Sequence, residues 1–226
     1  GYESAEGFSR AFSRAFGVPP SAAGAAEARW LPAPNGIHFH PPTSLWLEAG
    51  GPARAGADPC DLLLVHDLDD TRALIGVAAT LPPDELERAL APGAVVLAWD
   101  GPEESIAAVL DHLVRTKEAW LASIAGEDAP ARGPRDAGGL LARHDAVAPR
   151  WLGAVRRIID EGRCDDVLID ALCEPPESFV LGTVIAHVIT YSAHRRTEAR
   201  RLLRIVGADA GDGDPIMWSR ERGGLA

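Results

Sequence analysis

The chain has 226 residues, of which 46% are hydrophobic, and its formal net charge at pH 7 is −11. This length suits one sizeable domain with an appendage. The acidic balance argues against a general binder of polyanions, because phosphate contacts need a basic surface. No apolar run reaches the roughly 18 residues of a membrane span, so we expect no membrane partner. Three cysteines without CxxC spacing favour a reducing, cytoplasmic compartment.

The first element predicted along the chain is a short amphipathic helix within residues 1–20. Ser4 can cap its start, phenylalanine recurs at every fourth position, and Gly17 with the two following prolines can end it. Its polar face carries four small polar or basic side chains, namely Ser9, Arg10, Ser13 and Arg14. Such a face suits a recognition helix in a DNA major groove, although an ordinary surface helix has the same pattern.

The segment GYESAEGFSRAFSRAFGVPP closely resembles the signature of AraC-type transcription regulators. It corresponds to the end of their second helix-turn-helix, from the turn glycine through the recognition helix to the proline after it. The resemblance implies that the four polar-face residues contact DNA. The preceding helices of the two helix-turn-helix units have no counterpart here, and a lone helix of about twelve residues is marginal in water. DNA is therefore an expected partner only where the rest of that region is present.

Residues 21–57 are rich in alanine, glycine and proline, which predicts a linker with short extended pieces, one of them at 44–47. Apolar periodicity then predicts a short helix at 82–90 and four long helices at 59–80, 105–125, 140–162 and 179–206. Asp58 before Pro59 marks the start of the first long helix. The apolar runs at 94–99 and 167–172 are candidate short strands that would pair with each other, and the tail at 208–226 is predicted to be irregular.

These elements indicate a mainly α fold. We expect a four-helix bundle with short strand insertions over residues 58–207, preceded by the linker and by the remnant helix. Two segments, DHLVRTKEAWL at 111–121 and IAHVITYSAHRRTEARRLL at 185–203, resemble the DinB superfamily of four-helix bundles. The stretch DALCEPPESFVLGTVIAHVITYSAHRR is also similar to one in proteins that join an AraC-type DNA-binding region to a DinB-like domain.

The DinB resemblance carries an expectation about metal binding. Many members hold a divalent metal through one histidine on the second helix and an H-x-x-x-H pair on the last helix. His112 matches the first of these positions and His194 the last, whereas the middle position falls on Thr190, a poor ligand. The resemblance thus implies a site for an ion such as zinc or nickel at His112 and His194. The third ligand would be one of His187, Glu198 and His66.

Three hypotheses for function remain open at this stage. In the first, the bundle senses a small molecule or forms a homodimer as part of an AraC-type regulator. In the second, it is a divalent-metal-dependent transferase or hydrolase that uses a thiol or water. In the third, the bundle only dimerises, and its histidines are hydrogen-bonded core residues. The arginines at 195–204 are expected to pair with nearby acids in each case.

Overall fold

A computed structural model describes most of the chain, namely residues 4–16, 19–23, 37–40, 44–47, 58–170, 175 and 177–223. The chain divides into two compact units, Gly1–Ala55 and Gly56–Ala226.

The first unit begins with helix α1 (Ala5–Phe16), where the sequence predicts an amphipathic helix. The hydroxyl of Ser4 accepts a hydrogen bond from the Gly7 amide at 3.0 Å, which caps the helix as expected. Helix α2 (Pro20–Ala23) follows, and then an antiparallel pair of strands, β1 (Ile37–His40) and β2 (Ser44–Leu47). The predicted strand at 44–47 is confirmed, whereas the predicted stop at Gly17 lies outside the described residues.

The second unit is mainly helical, as the sequence predicts. Its described elements in chain order are α3 (Pro59–Ala78), α4 (Pro83–Glu87), α5 (Ile106–Ala125), α6 (Ala137–Asp160), β3 (Val167–Asp170), β4 (Glu177–Val180), α7 (Leu181–Ile205) and α8 (Pro215–Glu221). Helices α3 and α5 each pack against both α6 and α7, which makes a four-helix bundle. Fully buried side chains from all four helices fill its core, among them Leu64, Leu110, Trp151 and Leu202.

Short polar side chains fix the starts of the long helices. The Asp58 carboxylate accepts hydrogen bonds from two amides in the first turn of α3, with Pro59 as the first helical residue, which confirms the predicted start. Ser105 caps α5 by accepting from the Ala108 amide. Helix α6 begins three residues before the predicted start, because Asp136 accepts a hydrogen bond from the Gly139 amide.

Two predictions about irregular regions are wrong. Residues 94–99 form turns instead of a strand, and β3 pairs with β4. In the 94–99 run only Leu97 is buried, while Val95 and Trp99 are exposed, so the run does not form one apolar face. The C-terminal tail is not wholly irregular, because Asp214 and Pro215 start helix α8 in the same way as Asp58 and Pro59 start α3.

Candidate functional site

The loop between α4 and α5 carries two acidic residues, Asp100 and Glu103, to the flank of α5 and α7. Backbone hydrogen bonds hold this loop in place: the Glu104 carbonyl accepts from the amides of Leu90 and Ala91, and the Glu103 amide donates to the Ala94 carbonyl. The Glu104 carboxylate also accepts from the Gly93 amide at 2.7 Å. The position of the two acids is therefore set by the loop backbone and by the Ser105 cap that follows.

Arg195 lies at the centre of a buried charge cluster. Its Nε donates to both carboxylate oxygens of Glu103 at 3.0 and 3.1 Å, and its Nη2 donates to Glu103 at 2.8 Å and also to Asp100. Its Nη1 donates to the Thr116 hydroxyl at 3.3 Å, and His112 Nδ1 lies 3.0 Å from Glu103. These five residues are called the Glu103–Arg195 cluster below.

The electrostatics of this cluster favour its charged form. Burial alone would raise the pKa of Glu103, but His112, whose Nδ1 lies 3.0 Å away, and the hydrogen bonds from Arg195 outweigh it and hold that pKa below its ordinary value. Burial likewise opposes the charge of Arg195, and the two carboxylates nevertheless raise its pKa. Both Glu103 and Arg195 are almost inaccessible to solvent, so each charge depends on the other.

The structure does not bring the predicted metal ligands His112, His194 and His187 together. In the part of the chain that is described, the group that could hold an ion is Asp100, Glu103 and His112, whose donor atoms lie within 4.8 Å of one another. His112 is thus a member, whereas His194 is exposed on α7 and His187 lies among aromatic rings.

The alternative third ligands have other partners. Glu198 forms an ion pair with Arg201 at 2.6 Å, although it lies within electrostatic range of Glu103. His66 is buried on α3 beside Arg196, at 3.2 Å from its Nη1. Thr190, at the middle position of the family pattern, is exposed.

The donor set beside His112 does not suit a metal in the observed arrangement. Both oxygens of Glu103 accept hydrogen bonds from Arg195, and His112 Nδ1 faces the same carboxylate. A divalent ion would have to displace the guanidinium, which already supplies a positive charge to these carboxylates. Arg195 therefore takes the role that a cation would have in this group.

A second buried cluster joins α3, α5 and α7. Lys117 is fully buried, its Nζ lies 3.0 Å from Asp67 Oδ2, and it donates to the Ser192 hydroxyl at 3.1 Å. Arg196 donates to Asp70 at 2.8 Å and lies 3.4 Å from Asp67, and Arg200 also donates to Asp70. We call this group the Asp67–Lys117 cluster. Its members are Asp67, Asp70, Lys117, Ser192, Arg196 and Arg200.

Helix α8 packs over α3 beside this second cluster. The Trp218 indole donates to Asp69 at 3.1 Å, and its ring meets the edge of the His66 ring at a centroid distance of 5.2 Å. Arg222 also donates to Asp69. Burial, with Arg196 as the next cause, lowers the pKa of His66.

An aromatic patch lies next to the Glu103–Arg195 cluster. Trp99 is 74% exposed, and its ring stacks with that of His187 at a centroid distance of 6.4 Å and an angle of 25°. His187 also contacts Tyr191 at 4.7 Å and Trp120 at 6.3 Å. Burial lowers the pKa of His187, although nearby Asp100 opposes this effect. These four rings are called the aromatic patch below.

The family is decided by a comparison with known proteins. The model of the DinB superfamily matches residues 67–199, which is more than half of the chain and extends from α3 into α7. The chain belongs to the DinB superfamily. No curated protein matches it significantly. The DinB match does not extend to residues 1–20, so the AraC-type resemblance of α1 remains a prediction.

Among the described helices of this DinB protein, none combines the length and the apolar character needed to cross a bilayer.

The surface of the bundle includes an apolar groove of about 340 Å³ between α3, α6 and α7. The groove is lined mostly by apolar side chains, among them Leu63, Ile159, Ile185 and Ile189. Such a lining is what the regulator hypothesis requires of an effector cavity, although the groove lies open on the surface.

Sequence reasoning identified the arginines of these DinB clusters but missed Lys117 and the acidic side. The arginines on α7 were expected to pair with nearby acids, and Arg195, Arg196 and Arg200 do so. Glu103 was not singled out, although it lies 92 residues from its partner and two residues before the Ser105 cap. The available signal was an acid just before a predicted helix, but such acids are usually exposed.

Proposed function

We propose that the DinB bundle is a non-catalytic regulatory domain of an AraC-type transcription regulator, in which it senses a small molecule or forms a homodimer. The observation that carries this proposal is the position of Arg195. A catalytic metal site needs enough protein ligands and one open coordination position. Here the carboxylates that could serve as ligands hold a guanidinium, which is tethered to α7 and cannot exchange with substrate.

The regulatory half of the proposal rests on helix α1. This helix is capped by Ser4 and carries Arg10 and Arg14 on its exposed side, with Ser9 and Ser13 on the same polar face. Short polar and basic side chains on one face suit contacts with base edges and phosphates. Stable DNA binding needs the other helices of both helix-turn-helix units, so it is expected of the complete regulator.

The second candidate is a divalent-metal-dependent DinB enzyme that acts on a thiol or water. One observation favours it: donor atoms of Asp100, Glu103 and His112 lie within 4.8 Å of one another. If Arg195 moved away, these three residues would provide two carboxylates and one imidazole. Such a set is able to hold zinc and to leave a position open.

Elemental analysis of protein purified without chelator or affinity metal distinguishes the two candidates. The proposal predicts far less than one divalent ion per chain in the wild type. It also predicts that Arg195→Ala gains zinc on incubation, because its carboxylates lose their guanidinium. The matched control is Arg201→Ala, on the outer side of the same helix, which should gain none. About one ion per wild-type chain, lost in His112→Ala, would overturn the proposal in favour of the enzyme.

The DNA-binding half is tested separately by footprinting the product of the complete open reading frame on the DNA upstream of its own gene. We expect protection in the wild type and a clear loss of affinity in Arg10→Ala and Arg14→Ala. Arg72→Ala, which removes an exposed ion pair of the bundle with Asp145, is the control for general loss of positive charge. No protection by the complete product would remove the AraC-type assignment.

A further inference from the structure

We propose that the aromatic patch beside Asp100 binds a small organic cation, of the protonated or quaternary amine class. The inference deepens the proposed function, because it names the chemical class of the effector, and it rests on that function for its regulatory meaning.

The exposure of Trp99 is the first observation behind this inference. It is the most exposed large hydrophobic side chain in the described part of the chain, at 74%. Trp99 belongs to a loop whose own backbone hydrogen bonds, among them that from the Asp100 amide to the Leu97 carbonyl, set its position. An indole that is mostly exposed adds little apolar burial to folding, and exposed aromatic surface commonly marks a binding site.

The rings around Trp99 provide the walls of the site. His187 stacks with Trp99, Tyr191 packs against His187, and Trp120 meets His187 nearly edge-on at 70°. Phe179 supports Trp120 from β4 at a centroid distance of 5.4 Å. The face of an aromatic ring carries partial negative charge and attracts a cation within about 6 Å of its centroid.

The charges next to the patch also favour a cation. Asp100 and Glu103 share one guanidinium, that of Arg195, so the cluster has one negative charge more than its fixed positive charge. The Asp100 side chain is 28% exposed and follows Trp99 directly in the chain, whereas Glu103 is fully buried. Asp100 is close enough to His187 to oppose the lowering of its pKa, so a cation held by these rings would have the accessible carboxylate of the cluster nearby.

The same observations disfavour other ligand classes. A metal ion gains little from aromatic faces and prefers oxygen donors, and Arg195 already occupies the carboxylates of this cluster. A neutral aromatic molecule would stack on Trp99 but would make no use of Asp100. An anion would meet the accessible carboxylate of Asp100. An alkylammonium group combines a weakly hydrated positive charge with apolar surface, which matches both the rings and the acid.

The test is a titration of the full chain with tetramethylammonium chloride, followed through the indole N–H resonances in a nitrogen-15 NMR spectrum. We expect a saturable shift of the Trp99 resonance at millimolar or lower concentrations. Sodium chloride at the same ionic strength and tert-butanol, a neutral molecule of similar shape, should give no saturable shift. From the strength of cation–π contacts, Trp99→Leu should weaken binding by about threefold to thirtyfold.

Two variants control this experiment. Trp99→Leu changes an exposed side chain, so loss of folding is not an expected cause of its effect, and binding followed by calorimetry replaces the missing indole signal. Trp218→Leu alters a tryptophan at α8, away from the patch, and should leave the affinity for tetramethylammonium unchanged. An equal response to tert-butanol, or undiminished binding by Trp99→Leu, would overturn the inference.

Failure of this inference and failure of the proposed function give different results. If the cation binds at Trp99 but does not alter the DNA footprint of the complete product, the site stands and its role as effector site fails. If the complete product protects DNA but the cation does not bind, the regulator stands and the cation site is wrong.

Discussion

Two buried charge clusters share helix α7 and differ in how they meet solvent. The Glu103–Arg195 cluster includes a residue from a loop, Asp100, whose side chain is 28% exposed beside the aromatic patch. The Asp67–Lys117 cluster takes all its members from bundle helices, and none of its charged groups is more than 8% exposed. We call the Glu103–Arg195 cluster the open cluster and the Asp67–Lys117 cluster the closed cluster. Both are buried ion pairs, but the open cluster is accessible to a ligand, whereas the closed cluster joins helices.

The two clusters are also unbalanced in opposite directions. Lys117, Arg196 and Arg200 share the carboxylates of Asp67 and Asp70, which leaves one positive charge in excess. The Glu103–Arg195 cluster has one negative charge in excess unless His112 is protonated. Arg195 and Arg196 are adjacent on α7 but belong to different clusters. The helix therefore brings the excess negative charge of one cluster close to the excess positive charge of the other.

The largest expected effect comes from breaking the closed cluster with Lys117→Met. This change leaves Asp67 buried without its lysine, beside Arg196 at 3.4 Å. Removing one partner of a buried ion pair costs about 3–5 kcal/mol, and we expect the lower end of that range because Arg196 remains. Urea unfolding followed by circular dichroism measures the loss. A loss below about 1 kcal/mol, the size of an exposed pair, would contradict the structural role.

A double variant provides the control for Lys117→Met. Asp67→Leu combined with Lys117→Met removes both charges, and we expect it to recover much of the lost stability, because the carboxylate that lost its lysine is then no longer buried. Arg72→Met breaks an exposed ion pair between α3 and α6 and should leave the free energy of unfolding almost unchanged.

The open cluster gives a smaller effect that depends on pH. Glu103→Gln at pH 7 removes a carboxylate from Arg195, which keeps Asp100, and we expect a loss of about 2 kcal/mol. The folded-state pKa of Glu103 is lower than its ordinary value of 4.5, so its contribution is fully present above pH 4.5. That contribution disappears as the pH falls through the folded-state pKa.

Unfolding free energies of wild type and Glu103→Gln from pH 7 to acid pH check this sign. The difference between the two proteins should be constant at neutral pH and shrink below pH 4.5. A difference that instead grows toward acid pH would mean that Glu103 is not the stabilised anion of the cluster. The unfolding free energy of Lys117→Met over the same pH range is the control, because its loss of stability does not involve Glu103.

The sequence predicts the helices of this fold better than its clusters. Asp58 with Pro59 and the apolar periodicity are local signals, and they place the long helices within a few residues. Asp214 and Pro215 give the same signal for a helix start. The glycine-rich sequence around them nevertheless led to the prediction of an irregular tail, so helix α8 was missed. The apolar run at 94–99 predicts a strand, but a strand needs a pairing partner, and β3 pairs with β4 instead.

Charge pairing across the bundle has no local signal. Asp70 lies 126 residues from Arg196, and Glu103 lies 92 residues from Arg195. The DinB resemblance implies metal ligands at His112 on α5 and at His194 on α7. Neighbouring residues on a helix point about 100° apart, so His194 and Arg195 face different sides of α7. The structure accordingly buries Arg195 in the cluster and exposes His194.

The smallest effect tests how closely the loop before α8 covers the closed cluster. Gly211 and Gly213 both have positive φ angles, 63° and 73°, so an alanine at either is strained by about 1–2 kcal/mol. A Cβ at Gly213 would also lie 2.4 Å from the guanidinium carbon of Arg200, which donates to Asp70, whereas a Cβ at Gly211 meets nothing within 4 Å. Urea unfolding should therefore show a greater loss for Gly213→Ala than for Gly211→Ala, by about 1 kcal/mol, since a strained charged hydrogen bond is lost or weakened. Equal losses of unfolding free energy in the two variants would mean that Arg200 moves aside freely. The Asp67–Lys117 cluster would then be open to solvent near α8, as the Glu103–Arg195 cluster is at Asp100.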